Sequence, residues 1–434
     1  MGQWLCLAAL MAAGAGERGW YSADKLAIMR RNLAEHDWAR AQRDAIVKRA
    51  AVYVDWTPPQ LQALVPPPQV PRAIIVHDSG CPVHGATVNV IGRYSWKVSP
   101  AEPWKIRCPV GGEAYPSNDF AAYLASGLKD TSLLTGEFAD DGWGWRKPGA
   151  EKKFWFVAYY AQWLAYNHLL PALHDLSRAY LLTDDPRYAQ ATIILLRQLA
   201  EYYPDYLYEK QSRYGTEFDP RYHGRLLYHT WECFTVQAVA PAFDAVQPLL
   251  NQADRQVIED RLLRTMARDI MDGSNRVQGN YGMHQVGLVQ IAAGLRGKPG
   301  EPSSEAMIDW VLHNDQATQY TGIGLEDALY NLVQRDGYPF ESPGYNVAWN
   351  RDLNLVAEAL AGSGINLYGN SRLRKLLHWP LALLTAGEFT PASGDSNNMF
   401  GLATGIGGDL GGPAFAAYGS PEWAVALQQV GASP

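Results

Sequence analysis

Apolar residues recur at three- to five-residue steps from Ser22 to about Val54, where Leu26, Met29, Leu33 and Trp38 stand among Arg and Glu. That spacing predicts a helix. A Pro-rich connector follows, Thr57-Pro58-Pro59 and then Val65-Pro66-Pro67-Pro68. Over 72–110 the pattern becomes short and irregular, and Ala73-Ile74-Ile75-Val76 and Ala86-Thr87-Val88-Asn89-Val90 read as β candidates. Gly111 to Ala150 reads as loop. From Phe154 the helical period takes over: Phe154 to Leu182 stops at Thr183-Asp184-Asp185-Pro186, and Arg187 to Tyr203 ends at Pro204. Further helices are expected over 225–250, 253–272, 282–296, 303–313, 351–362 and 371–387.

Helix pairs joined by short turns, with no strands between them, fit a bundle, a solenoid or an (α/α) toroid. No strict short repeat is visible, which counts against a solenoid. Polar and aromatic motifs gather at the turns, where one end of a toroid opens as a cleft, so an incomplete (α/α) toroid is the expected architecture. The chain therefore reads as mainly α. It has an N-terminal helix plus an irregular, β-containing segment over 19–150 and the toroid over 151–434. Residues 1–18 carry a short apolar core, Leu5-Cys6-Leu7-Ala8-Ala9-Leu10, ending in small residues. Although no Lys or Arg precedes it, this reads as a secretory leader and predicts a secreted or periplasmic protein. No other segment has the uninterrupted apolar length of a membrane helix.

Composition refines this picture in two places. The 15 Trp and 24 Tyr favour stacking on sugar rings over nucleotide work, although large helical cores also use these residues as filler. The net charge of −7, without a basic block, argues against a nucleic-acid partner. It leaves an anionic substrate open, because a local cluster of Arg, Asn and His in a cleft can oppose the overall sign.

Two polar clusters carry the candidate chemistry. Asp336-Gly337-Tyr338-Pro339-Phe340-Glu341-Ser342-Pro343-Gly344-Tyr345 leaves one phenol at the end of a stiff turn, and Gly279-Asn280-Tyr281-Gly282-Met283-His284-Gln285 sets an amide, a phenol and an imidazole before an apolar run. The first is similar to the DG…FE.SP.Y motif of heparinase II/III-like and alginate-lyase-like polysaccharide lyases, and Gly279-Asn280-Tyr281-Gly282 resembles their Asn-containing turn. Leu176-Ser177-Arg178-Ala179-Tyr180-Leu181-Leu182-Thr183-Asp184-Asp185-Pro186-Arg187-Tyr188-Ala189 resembles their helix hairpin, and Pro391-Ala392-Ser393-Gly394-Asp395-Ser396 their P.IGDS segment. The resemblance covers roughly 20–400 and implies an incomplete (α/α) toroid, usually followed by a β-sandwich that is expected to be absent here.

The resemblance implies β-elimination on a uronic-acid glycan. That reaction needs the carboxylate neutralised, the C5 proton removed and the leaving glycosidic oxygen protonated. By the resemblance Asn280 neutralises the carboxylate, and Tyr345 is the acid and a candidate base. The family often has a His directly after that Asn. Here Tyr281 takes the place, as a substrate-binding candidate, and His284 lies one helical turn on as the expected partner of Asn280 and base. The spacing from Asn280 to Tyr345 is longer than the family's, which an inserted loop around Gly297–Pro302 would explain. His223 and Arg225 are candidates to grip a carboxylate or sulfate, helix capping being the alternative. Glu341 is a further contact or an orienting group, and His378 a weaker second base.

An (α/α)-toroid glycoside hydrolase is the enzymatic alternative, with Glu326, Asp327, Glu341 and Asp395 as its carboxylates. A glycan-binding relative without activity is the non-enzymatic one. No cofactor is required for elimination. Cys81-Pro82-Val83-His84-Gly85 and Cys108-Pro109-Val110-Gly111-Gly112 supply three zinc ligands, Cys81, His84 and Cys108, without an obvious fourth. A disulfide or free thiols are equally open for this pair in an exported protein. Cys233 is expected to be buried and inert.

Overall fold

The computed structural model describes residues 18–92, 94–216, 224–272, 277, 279–384, 389–390, 393–394, 400–401 and 408–429. The secretory leader expected at 1–18 lies almost wholly outside them. The described chain is mainly helical, with small sheets of short strands. Among the described residues no helix is long and apolar enough to cross a membrane. Two compact units form, one from Ala23–Asp269 and Asn275–Gln278, the other from Met1–Ser22, Ile270–Ser274 and Gly279–Pro434.

In the unit built on Ala23–Asp269, the helix expected over 22–54 is interrupted at His36, giving Ala23–Glu35 and Asp37–Ala50. The division expected near 150 is not where the units part, because the irregular segment and the long helices share one core. The backbone N–H of Trp155 bonds to the Val76 carbonyl at 3.0 Å, and the Trp163 indole donates to Ile74 at 3.1 Å. Ala73 lies in a two-stranded parallel pairing with Ser212, in register with Arg72 and Gln211. The other β candidate is corrected: Thr87–Ile91 is a single helical turn that buries only Val88. Its alternating apolar residues find no partner strand, and Val90 and Ile91 stay exposed.

The hairpin of Leu170–Thr183 and Pro186–Tyr202 shows why punctuation was readable. Asp184 takes a left-handed conformation (φ 58°) that ends the first helix. The Asp185 side chain accepts from Arg187 N–H at 2.9 Å, and Pro186 occupies the first helical position, where its missing donor costs nothing. Helix Leu170–Thr183 packs between its partner, Glu232–Val246 and Asp37–Ala50. Arg49 clamps Asp175 bidentately at 2.8–3.1 Å across one of these contacts.

Glu232, fully buried at the start of its helix, accepts from Tyr203 Oη at 2.8 Å and from the amides of Leu226 and Leu227 at 2.8 and 2.6 Å. Burial pushes its carboxyl up to about 7 despite these donors. The folded chain thus holds this proton more tightly than the unfolded chain does. The resulting stability is complete below an unfolded value of about 4.3 and is lost as pH rises through about 7. The unfolding midpoint of the native chain relative to Glu232→Gln is expected to fall across this window. A difference that does not vary with pH would show that the carboxyl titrates normally.

In the other unit, every residue of Met283–Gly294 is buried, as expected of a helix that is apolar nearly all round. It packs against Ser304–His313 and Pro343–Ala361. The Gly297–Pro302 segment, expected as an insertion, lies in the connection between Met283–Gly294 and Ser304–His313. Pro343–Ala361 starts well before the expected 351, because Ser342 takes the extended N-cap conformation and Pro343 stands at the first helical position.

Candidate functional site

The Asp336–Tyr345 motif folds as a tight turn leading into a helix. Gln334 N–H bonds to the Tyr338 carbonyl at 2.8 Å and Phe340 N–H to the Leu332 carbonyl at 3.1 Å. Gly337 has φ 101°, and a Cβ there would stand 2.3 Å from the Lys375 carbonyl oxygen, so only glycine fits. Asn346, buried in the first helical turn, donates to the carbonyls of Pro339 and Glu341 at 3.0 and 2.9 Å. These bonds pin the stretch that carries Glu341 and leave Tyr345 39% exposed on the outer side of the helix start. Gly394, from the Pro391–Ser396 segment, comes to the same place: a Cβ on it would lie 3.1 Å from that of Ser342. Asp395 lies outside the described residues.

The Asn280 turn is held as firmly. Gln285 Oε1 accepts from Gly282 N–H at 3.1 Å, and its amide donates to the carbonyls of Thr321 and Ile323 at 3.1 and 3.3 Å. Gly282 has φ 98°, and a Cβ would sit 2.7 Å from the Asp352 Cβ. Gly282→Ala therefore combines a left-handed penalty with a clash and is expected to cost about 1–3 kcal/mol. Chemical denaturation measures this, and an unchanged midpoint would mean that the turn relaxes.

Glu341 joins the two clusters. Its Oε2 lies 3.5 Å from Asn280 Nδ2, and its Oε1 accepts from Tyr320 Oη at 3.0 Å. The Tyr320 hydroxyl also lies 3.5 Å from the Gly279 carbonyl. Burial, then Glu341, then the nearby Tyr345 raise the Tyr320 phenol well above its ordinary value, so it stays protonated as a donor. Asn280, Glu341 and Tyr320 thus form one polar cluster, and Tyr345 follows Glu341 in the first turn of the next helix. Tyr320 and Asn346 escaped sequence reasoning: Tyr320 belongs to no motif, and Asn346 reads as an ordinary helix residue.

Other expected contacts fall elsewhere. His284 is completely buried in the all-buried helix, so a polymeric substrate cannot reach it as the base. Tyr281 is also buried; its hydroxyl donates to the Ile323 carbonyl at 3.1 Å and its ring stacks on Trp349 with centroids 4.4 Å apart. It holds the turn and does not face solvent. Arg225 lies in the other unit, ion-paired to Asp269, with Nη1 donating to the carbonyls of Tyr203, Pro204 and Tyr206 at 3.1–3.2 Å. Its donors are committed to the fold, which leaves no fork for a substrate carboxylate. His223 lies outside the described residues. His378 directs Nδ1 at the Arg374 carbonyl of its own helix at 2.8 Å, beside Tyr418 and Trp423. Of the hydrolase carboxylates, Glu326 pairs with His313 at 3.6 Å and Asp327 accepts from Asn331.

Cys81, Cys108 and Cys233 are all buried, and none of the three is in a disulfide. Cys81, His84 and Cys108 nevertheless come together, with potential ligand atoms within 4.8 Å of one another. A groove of about 870 Å³ in the same unit is lined by Trp56, Pro67, Trp104, Tyr160, Tyr202 and neighbours, none of them charged. It lacks the cations that would hold an anionic polymer. No family model and no curated protein matches this chain.

Proposed function

We propose that this chain is a polysaccharide lyase that cleaves a uronic-acid glycan by β-elimination, acting outside the cytoplasm. The observation that carries the reading is that Asn280, far from the Tyr345 motif in sequence, lies 3.5 Å from Glu341 of that motif, with Tyr320 bonded to the same carboxylate. The motif resemblance and the succession of helix hairpins support it, and on this reading the helices form an (α/α) toroid.

Asn280 Nδ2 has one N–H directed at Glu341; the other is available to neutralise the sugar carboxylate as negative charge develops on it. The charge on Glu341 disfavours a second carboxylate at its own oxygens, so Glu341 acts by orienting Asn280 and Tyr320. Tyr345, the exposed phenol of the group, faces the sugar. In its ionised form it takes the C5 proton, the C4–O bond breaks as the C4–C5 double bond forms, and the same proton passes to the departing oxygen. No cofactor enters the sequence.

A panel of uronate polysaccharides, incubated with the full chain and followed in the near ultraviolet, tests the proposal. Elimination leaves a conjugated, absorbing double bond. New reducing ends without absorbance would replace the reading with a hydrolase. Saturable binding of uronate oligosaccharides without turnover would replace it with a glycan-binding protein.

A further inference from the structure

The short motifs Cys81-Pro82-Val83-His84-Gly85 and Cys108-Pro109-Val110-Gly111-Gly112 fold alike. In the first, Gly85 N–H bonds back to the Cys81 carbonyl at 2.8 Å, and in the second, Gly112 N–H bonds to the Cys108 carbonyl at 2.9 Å. The two turns thus present a cysteine sulfur at matching positions, and both sulfurs face one imidazole.

The geometry between the turns fits a metal. His84 Nδ1 lies 3.6 Å from the sulfur of Cys81 and 3.6 Å from that of Cys108. Tetrahedral zinc with ordinary bond lengths puts a ligating sulfur and nitrogen about 3.6 Å apart, and nitrogen and oxygen about 3.3 Å apart. Glu113 stands beside these three: its Oε2 lies 3.5 Å from the same His84 nitrogen and is buried without a hydrogen-bond donor. Gly111 explains why a carboxylate stands there. It occupies the place of His84 in the second turn, and a Cβ on it would meet His84 Cε1 at 2.3 Å and the Glu113 oxygens at 2.3 and 2.5 Å. The missing side chain is the space that Glu113 enters.

We propose that Cys81, His84 and Cys108 hold a structural zinc ion, with Glu113, beside the imidazole, as the group that completes the shell when the ion binds. With two thiolates and an imidazole as ligands and the carboxylate taking the fourth position on binding, no open position would remain, which assigns the metal to stability. Tyr115 Oη, 3.5 Å from the sulfur of Cys81, is the outer partner of that ligand. The site fastens the 77–85 turn to a three-stranded sheet of Lys97–Val98, Ile106–Arg107 and Ala114–Tyr115, whose two-residue strands bury little by themselves.

Metal analysis of the full chain, produced with zinc and purified without chelator, tests the proposal. About one zinc per chain is expected, lost in Cys81→Ser and in Cys108→Ser and kept in Cys233→Ser. Glu113→Gln and Gly111→Ala are expected to speed zinc release to a chelator on the order of tenfold or more, since even outer partners change affinity by that factor. Cobalt exchanged into the unaltered chain is expected to show tetrahedral bands and thiolate charge transfer, a readout that does not depend on any variant folding. A chain that stays metal-free in zinc, a mapped Cys81–Cys108 disulfide, or bound cobalt without thiolate charge transfer would each overturn the site.

Discussion

Tyr345→Phe is expected to lower the rate of uronate elimination by on the order of 10²–10⁴-fold, the range supplied by a positioned acid–base group. The substitution removes one oxygen from a half-exposed ring at a helix start, so folding should be unaffected. Binding of the polymer should persist, because Gln285 holds the Asn280 turn through Gly282 N–H and the Thr321 carbonyl. The loss is therefore predicted in kcat with KM little changed. The neighbouring Tyr320→Phe separates the roles. It removes the hydroxyl held by Glu341 and frees that carboxylate, so it should impair activity less and raise KM through a misplaced Asn280. Full elimination activity in Tyr345→Phe would end the assignment of this phenol whatever the reaction turns out to be.

Arg225→Met is expected to destabilise the Ala23–Asp269 unit by about 3–5 kcal/mol, the cost of removing one member of a buried pair. Asp269 is only 8% exposed and would be left charged with no counterion in the pair. The carbonyls of Tyr203, Pro204 and Tyr206 lose a shared donor at the same time, and the guanidinium leaves the faces of Tyr203 and Tyr208. Denaturant unfolding measures the effect. The double variant Arg225→Met with Asp269→Leu should recover part of it, because the stranded charge is then gone. A substrate-gripping Arg225 would behave oppositely, with KM rising and the unfolding midpoint unmoved.

Local chemistry was legible in the sequence wherever the cause was local. Asp185 and Pro186 announce a helix start because capping and a fixed φ act within one turn; Pro343 carries the same signal, yet that helix was expected only from 351. The glycines of the Asn280 and Asp336 turns likewise marked positions that a side chain cannot occupy. The β reading of Ala86–Val90 failed because alternation of small apolar residues is compatible with a single helical turn, and only a neighbouring strand could have selected the sheet.

What the tertiary structure decided was access and company. His284 and Tyr345 are equally plausible acid–base groups as letters; packing on all sides of Met283–Gly294 buries the first, and the Asn346 clamp leaves the second in solvent. Tyr320 joins Glu341, His84 joins two cysteines, and Glu113 joins His84, through distances that no local period encodes. Periodicity and caps are set by residues within a turn of one another, so the chain alone specifies its helices and where they stop. Burial and polar partnership depend on segments remote in sequence being packed together, and only the folded molecule fixes those.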